Sequence, residues 1–149
     1  MAMGIALVTG ATSGIGEEFC WQLAAAHHDL VLVARREEKL RKLAEDLRQI
    51  AGVKAEVIVA DLGVAGDVDR VAQRLSDEQS PVGLLVNNAG FALGCSFIDN
   101  TIEAEENALD VMVRAPMVLS YAALNAMRAR GRGAIINVSS VASETGAGT

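Results

Sequence analysis

Aromatic residues make up only 3% of the 149 residues, so the 51% apolar share rests largely on Ala, Val, Leu and Ile. Such side chains suit helices packed on a buried parallel sheet. Cysteine is equally scarce: Cys20 and Cys95 are the only two, and their spacing suggests neither a disulfide framework nor a metal site. A reducing cytoplasm is the expected setting. Basic charge is not in excess, the formal net charge being −6. Nucleic acid and an anionic membrane surface are thereby disfavoured as main partners, since both repel such a chain at long range. No apolar run reaches spanning length, and Met1-Ala2-Met3-Gly4 leads straight into an apolar stretch without a basic leader or cleavage pattern. Repeats, linkers and low-complexity tracts are absent as well, so residues 1–149 read as one soluble domain, large enough to bury roughly two-thirds of its unfolded surface.

What is present has a regular beat. Ile5 to Thr9 is a short apolar run closed by glycine, as expected of a strand buried on both faces, and Gly14 to His27 has helical length. Leu30–Ala34 reads as a second buried strand and Arg36–Ile50 as a charged helix. In that helix Leu40, Leu43, Leu47 and Ile50 share one face, with Glu37–Arg41 and Glu38–Lys42 pairs opposite. A strand over Val53–Ala60, a helix over Val64–Leu75 and a strand over Leu84–Val86 follow. The pattern then predicts a long helix from about Thr101 to Arg130, apolar nearly all round between Ala108 and Leu124 and bent at Pro116, where a backbone donor is missing. Gly131 and Gly133 end it, Ala134–Val138 is a fifth strand, and 143–149 reads as loop. Strand alternating with helix means an α/β doubly wound sheet.

Between the first strand and first helix lies Thr9-Gly10-Ala11-Thr12-Ser13-Gly14-Ile15-Gly16. Its glycines permit a tight turn and close approach of a ligand to the backbone, and a phosphate can sit on the helix N-terminus beyond. A Gly-Lys-Ser/Thr run, which a P-loop would need, does not occur.

These residues resemble the short-chain dehydrogenase/reductase family, whose glycine pattern is Thr-Gly-x-x-x-Gly-x-Gly. Asp61 at the end of the third strand, Asn88-Ala89-Gly90 after the fourth and Asn137-Val138-Ser139-Ser140 at the fifth agree with it in order. The resemblance covers the whole chain. It implies a Rossmann-type parallel sheet of order 3-2-1-4-5, C-terminally incomplete, with a dinucleotide across the strand ends. It implies that Gly10, Thr12, Ser13, Gly14, Ile15 and Gly16 surround the pyrophosphate, that Asp61 and Leu62 contact adenine, and that Asn88, Ala89 and Gly90 flank the ribose and nicotinamide. Relatives that prefer NAD(H) place an acidic residue after the second strand; here Arg35 and Arg36 stand there, which favours NADP(H), with Arg35 the better candidate for the 2′-phosphate.

Family members move a hydride between nicotinamide and a carbonyl or alcohol carbon, with a Tyr, a Lys four residues later and a Ser at the substrate oxygen. Ser140 matches the Ser by position. The Tyr is expected about thirteen residues beyond it, outside this sequence. Tyr121 has no such Lys and reads as a packing residue with a polar tip; His27 and His28 read as surface positions, and Cys20 beside Trp21 as core. Met112 departs from the family pattern, which places there an Asn that helps hold a proton-relaying water. Cys95 and Phe97 read either as residues of the substrate side or as packed or exposed loop positions. The resemblance also implies a helix packed beside the long one, so homo-oligomers through 101–130 are expected. A non-catalytic nucleotide-binding or interaction protein is the alternative reading. A methyltransferase is disfavoured, because an acidic residue would replace Arg35.

Overall fold

The computed structural model describes residues 4–140, so the loop expected over 143–149 lies outside the described residues. Five strands form one parallel sheet in the order β3-β2-β1-β4-β5: β1 Ile5–Thr9, β2 Asp29–Ala34, β3 Ala55–Val59, β4 Val82–Asn87 and β5 Ala134–Asn137. This is the expected Rossmann-type topology. β1 lies at the centre, with Leu7 opposite Val31 on one side and Leu85 on the other.

Alternate residues of a strand point to opposite faces, and β1 uses this to seed two cores. Ala6 and Val8 join Leu30 and Leu32 under α1 (Gly14–Ala25) and α2 (Glu37–Ala51), against Cys20, Ala24, Leu40, Leu43 and Leu47. Leu7, Val31, Val33 and Leu85 face α3 (Ala65–Leu75) and α5 (Ala115–Arg130), meeting Val68, Val71, Leu75, Leu119, Ala123 and Met127. Each enclosed leucine stabilises the fold by about 2 kcal/mol.

In α2 the buried stripe is Leu40, Leu43, Ala44 and Leu47, whereas Ile50 at the helix end is 75% exposed and leaves the predicted face. Arg41 pairs with Glu37 at 2.8 Å as expected. Lys42 does not take Glu38; it bonds Asp46 at 2.8 Å, one turn C-terminal. Either carboxylate lies at helical i,i+4 spacing from the ammonium. α1 ends at Ala25, two residues short of the expected His27, which adopts a left-handed φ of 62° and turns the chain toward β2.

The predicted long helix is three pieces: α4 over Ile102–Leu109, a π-helical turn over Asp110–Arg114 and α5. Pro116 has no N–H for the carbonyl of Met112 four residues back, and the bonding slips by one residue, Ala115 donating to the Asp110 carbonyl. The irregularity therefore falls just before the proline. Leu109, Val113, Met117, Tyr121 and Leu124 all lie on the outer face, each 58% exposed or more. Tyr121 is thus an outward residue, and the packing expected of it is not found within this chain. His28 is half-buried at the α1–β2 side, its Nδ1 enclosed, and Cys20 is buried there; burial pushes the Cys20 thiol up to about 12, with Glu17 adding to the effect.

Candidate functional site

Parallel strands deliver all their C-terminal ends to one edge of the sheet. There the β1–α1 loop, Arg35-Arg36 after β2, Asp61-Leu62 after β3, Asn88-Ala89-Gly90 after β4 and Val138-Ser139-Ser140 after β5 come together.

A buried threonine holds the centre. The Thr9 hydroxyl donates to the Val86 carbonyl at 3.4 Å and accepts the amides of Asn88 at 3.0 Å and Ala89 at 3.1 Å. One donor and two acceptor positions are all a hydroxyl has, so this group is saturated. Asn88 returns the link: its Nδ2 donates to the carbonyls of Thr9 at 3.1 Å and Gly10 at 3.3 Å. The Asn88 side chain therefore turns back into the glycine loop, while the backbone that follows it borders the groove. Thr9 was not singled out from the sequence; a hydroxyl placed at a strand end, directly before the first glycine, was the available signal.

Two glycines exist for close approach. A methyl group on Gly10, which has a φ of +66°, would lie 2.9 Å from Ala89 Cα. On Gly16 it would lie 2.2 Å from the Gly10 carbonyl oxygen and 2.3 Å from Asn88 Nδ2. No real Cβ tolerates such distances, so Gly16 seats α1 beneath the loop and does not itself line the groove. Ser13 precedes α1 with extended backbone and gives its first turn no side-chain bond. The opening amides of α1 thus keep their donors, and with them the positive end of the helix dipole.

The two arginines have different partners. Arg36 donates from Nη2 to the Thr12 carbonyl at 3.1 Å and to the Thr12 hydroxyl at 3.2 Å, tying α2 to the glycine loop. Arg35 faces Asp61, with Nη1 4.0 Å from Oδ2. Asp61 is anchored: its Oδ1 accepts the Gly63 amide at 2.9 Å, and its own amide donates to Asp67 Oδ2 at 2.7 Å. Arg70 bonds Asp67 Oδ1 and the Val59 carbonyl, each at 2.8 Å. The Arg70 bond, aided by the Asp61 amide, holds the Asp67 carboxyl below its usual range. Asp67 and Arg70 form a second constellation that the sequence did not reveal.

The groove has two halves that share Gly10, Ser13, Leu62, Ala89, Gly90, Phe91 and Val111. A narrow cavity of about 240 Å³ is lined in addition by Thr12, Val33, Ala34, Arg35, Arg36 and Asp61. A wide one of about 1330 Å³ is lined by Gly14, Ile15, Asn88, Met112, Met117 and Ser140, among others. Met112 comes from the π-helical turn, its sulfur within van der Waals reach of a methyl placed on Gly90, at 3.6 Å. Ser140 follows β5 and is exposed to this wide half. Beneath it, Asn87 donates from Nδ2 to Ser120 Oγ at 3.0 Å and Asn137 Oδ1 at 2.8 Å, joining β4, α5 and β5. Cys95 and Phe97 line neither half; both are exposed on the segment before α4.

Comparison with known proteins gives one answer. A family model described as short chain dehydrogenase matches residues 4–149. An uncharacterized oxidoreductase of Staphylococcus epidermidis is 31% identical over 137 residues, which is 92% of this chain and 58% of that protein. A short-chain dehydrogenase from Sphingobium yanoikuyae, solved in complex with NADPH, superposes with a TM-score of 0.93 at 36% identity, over 97% of this chain and 56% of that one. The bulky-bulky ketone specific alcohol dehydrogenase from Comamonas testosteroni gives a TM-score of 0.93 at 33% identity, over 97% and 58%. The chain spans little more than half the length of these relatives.

Proposed function

Since the chain belongs to the short-chain dehydrogenase family, we propose that it is the cofactor-binding part of an oxidoreductase that uses NADP(H) in preference to NAD(H). The reaction is hydride transfer between the nicotinamide and a carbonyl or alcohol carbon of a small-molecule substrate. One observation carries the reading: a glycine loop with no room for side chains at Gly10 and Gly16 opens an uncapped α1 beside two arginines. An anion fits at the opening amides of α1, and a second anion fits at the guanidinium beyond β2.

In this reading the backbone of Ser13, Gly14 and Ile15 holds the pyrophosphate, with Thr12 kept in place by Arg36. Asp61 and Leu62 border the adenine, and Ala89 and Gly90 the ribose and nicotinamide. Arg35 takes the 2′-phosphate. Ser140 meets the substrate oxygen in the wide half and fixes it by a hydrogen bond. NADP(H), when bound, supplies the hydride; the chain binds and orients. The apolar stripe Leu109, Val113, Met117, Tyr121 and Leu124 is assigned to a second copy of the protein, which sedimentation analysis reads directly. The setting is cytoplasmic in the same proposal; no helix among the described residues is long and apolar enough to cross a membrane.

The test is Arg35→Ala. Loss of a charge-assisted phosphate contact is expected to weaken NADPH binding by about 10- to 100-fold, with NADH binding changed by no more than about 3-fold. Equal losses for both nucleotides, or tighter NADH than NADPH binding by the unaltered protein, would overturn the cofactor assignment. A second reading, a nucleotide-binding protein without catalysis, draws on Met112 occupying the wide half beside Gly90. Persistent NADPH binding with no oxidation of it by any carbonyl in a broad screen, in a form of the protein that carries the Tyr and Lys expected beyond Ser140, is its expected signature.

A further inference from the structure

We propose that Asp61 sets the strength of this protein's preference for 2′-phosphorylated adenosine, acting through Arg35 as a built-in competitor for the phosphate. The inference rests on the NADP(H) reading of the same pocket and adds to it the residue that limits the selectivity.

The narrow half of the groove is lined by two guanidinium groups and a single carboxylate. Arg36 is committed, with both of its bonds going to Thr12. Arg35 makes no such bond: its side chain is 64% exposed and meets Asp61 at 4.0 Å. Exposed pairs of this kind contribute little, about 0.2–1 kcal/mol, whereas a guanidinium on a phosphate makes shorter and stronger bonds. An arriving 2′-phosphate therefore takes Arg35 from Asp61.

Asp61 cannot follow or withdraw. One oxygen is engaged by the Gly63 amide, and the main chain on which it stands is bonded to Asp67, itself held by Arg70. The other oxygen, the one facing Arg35, stays in the wall of the pocket. A phosphate bound at Arg35 thus meets a fixed negative charge at its back, and the free protein keeps Arg35 partly neutralised before binding. Both effects oppose a phosphorylated ribose. Neither acts on an adenosine whose 2′-hydroxyl is uncharged. Substrate preference at this corner is consequently a difference between two opposed charges, not the sum of two arginines.

Adenosine 2′,5′-bisphosphate and 5′-AMP are the probes, because their ratio of dissociation constants cancels whatever Asp61 does for the adenine ring. Asp61→Asn removes the charge and keeps an oxygen for the Gly63 amide. The preference for the bisphosphate is expected to rise by about threefold to tenfold, and the rise is expected to be smaller when the same change is made in an Arg35→Ala background, where only the direct repulsion remains to be relieved. Asp61→Ser, which also retains an oxygen, is the second neutral variant should Asp61→Asn fold poorly, with the same expected rise. Asp61→Glu is expected to stay near the unaltered ratio. An unchanged or reduced preference in the neutral variants, alongside a clear loss in Arg35→Ala, overturns this inference alone. A protein that binds 5′-AMP as well as the bisphosphate overturns the cofactor reading with it.

Discussion

The narrow and wide halves of the groove hang on the same strand ends but are built in different ways. Along the glycine loop, on the narrow side and where it opens into the wide half, most polar side chains have an assigned partner within the chain. Thr9 is saturated, Asn88 is folded into the glycine loop, Arg36 is fixed on Thr12 and Asp61 on Gly63. Backbone approaches backbone so closely that two positions admit no side chain at all. The wide half, more than five times larger by volume, has an exposed serine, a thioether and an exposed apolar helix face. In the proposed reading the nucleotide runs along the rigid glycine-loop side of both halves, and the substrate is left to the looser outer part of the wide one. The contrast predicts that changes at the glycine loop and the contacts that brace it damage folding and nucleotide binding together, and that changes at the outer side of the wide half separate from both.

The largest effect should come from Gly16→Ala. The added methyl meets the Gly10 carbonyl oxygen and the Asn88 amide, and the first of these is backbone that cannot rotate away. A loss of about 3 kcal/mol of stability is expected, measured by urea unfolding, together with loss of detectable NADPH binding. A variant with unaltered midpoint and affinity would show that the tight contact between loop, α1 and Asn88 is not what shapes this half.

Next in size is Thr9→Val, a change of nearly equal volume. It leaves the Asn88 and Ala89 amides and the Val86 carbonyl without the hydroxyl they share. Unpaired buried groups each cost about 1–3 kcal/mol, and relaxation toward the groove returns most of this, so a net loss of about 2 kcal/mol is expected. Thr9→Ser, which keeps the hydroxyl, should recover most of it. If serine and valine were equally harmful, the methyl packing and not the three hydrogen bonds would be the cause.

How much of this was readable in the sequence follows from the range of each contact. The strands, their order by family resemblance, and the glycine loop were legible, because short apolar runs and glycine spacing are local signals. The gathering of these residues at the strand ends was legible too: apart from Gly16, which seats α1, each position expected to meet a cofactor borders one half of the groove, and its binding role stays a proposal. What could not be read was which partner each side chain takes. Arg36 reaches Thr12 across 24 positions, and Thr9 reaches Asn88 across 79; no periodicity encodes either. Lys42 had carboxylates at helical spacing on both sides, and side-chain geometry chose Asp46. The π-helical turn escaped because apolar periodicity survives a one-residue slip when the helix is apolar all round. Tyr121 escaped for the same reason, since such a helix does not announce which of its faces is inward.

Met112→Asn probes the wide half and should have the smallest effect on stability and nucleotide binding. Met112 is 42% exposed, lies in a turn already irregular because of Pro116, and makes only van der Waals contact with the Gly90 side of the groove. Replacing it removes little buried surface and introduces an amide that water can solvate, so the change in unfolding free energy is expected to stay within about 0.5 kcal/mol. NADPH affinity is expected to hold within about 2-fold, because none of the groups assigned to the phosphates touches this side chain. Turnover, read in a form of the protein that carries the Tyr and Lys expected beyond Ser140, is the quantity free to move: an amide at this position can hold a water by hydrogen bonds that a thioether cannot make, which favours proton transfer at the groove. A rise in kcat with unchanged NADPH binding would mean that the two halves are separable and that the thioether limits proton traffic. A loss of NADPH affinity approaching that of Gly16→Ala would mean the opposite, that the π-helical turn belongs to the rigid half and the division between them lies nearer to Ser140.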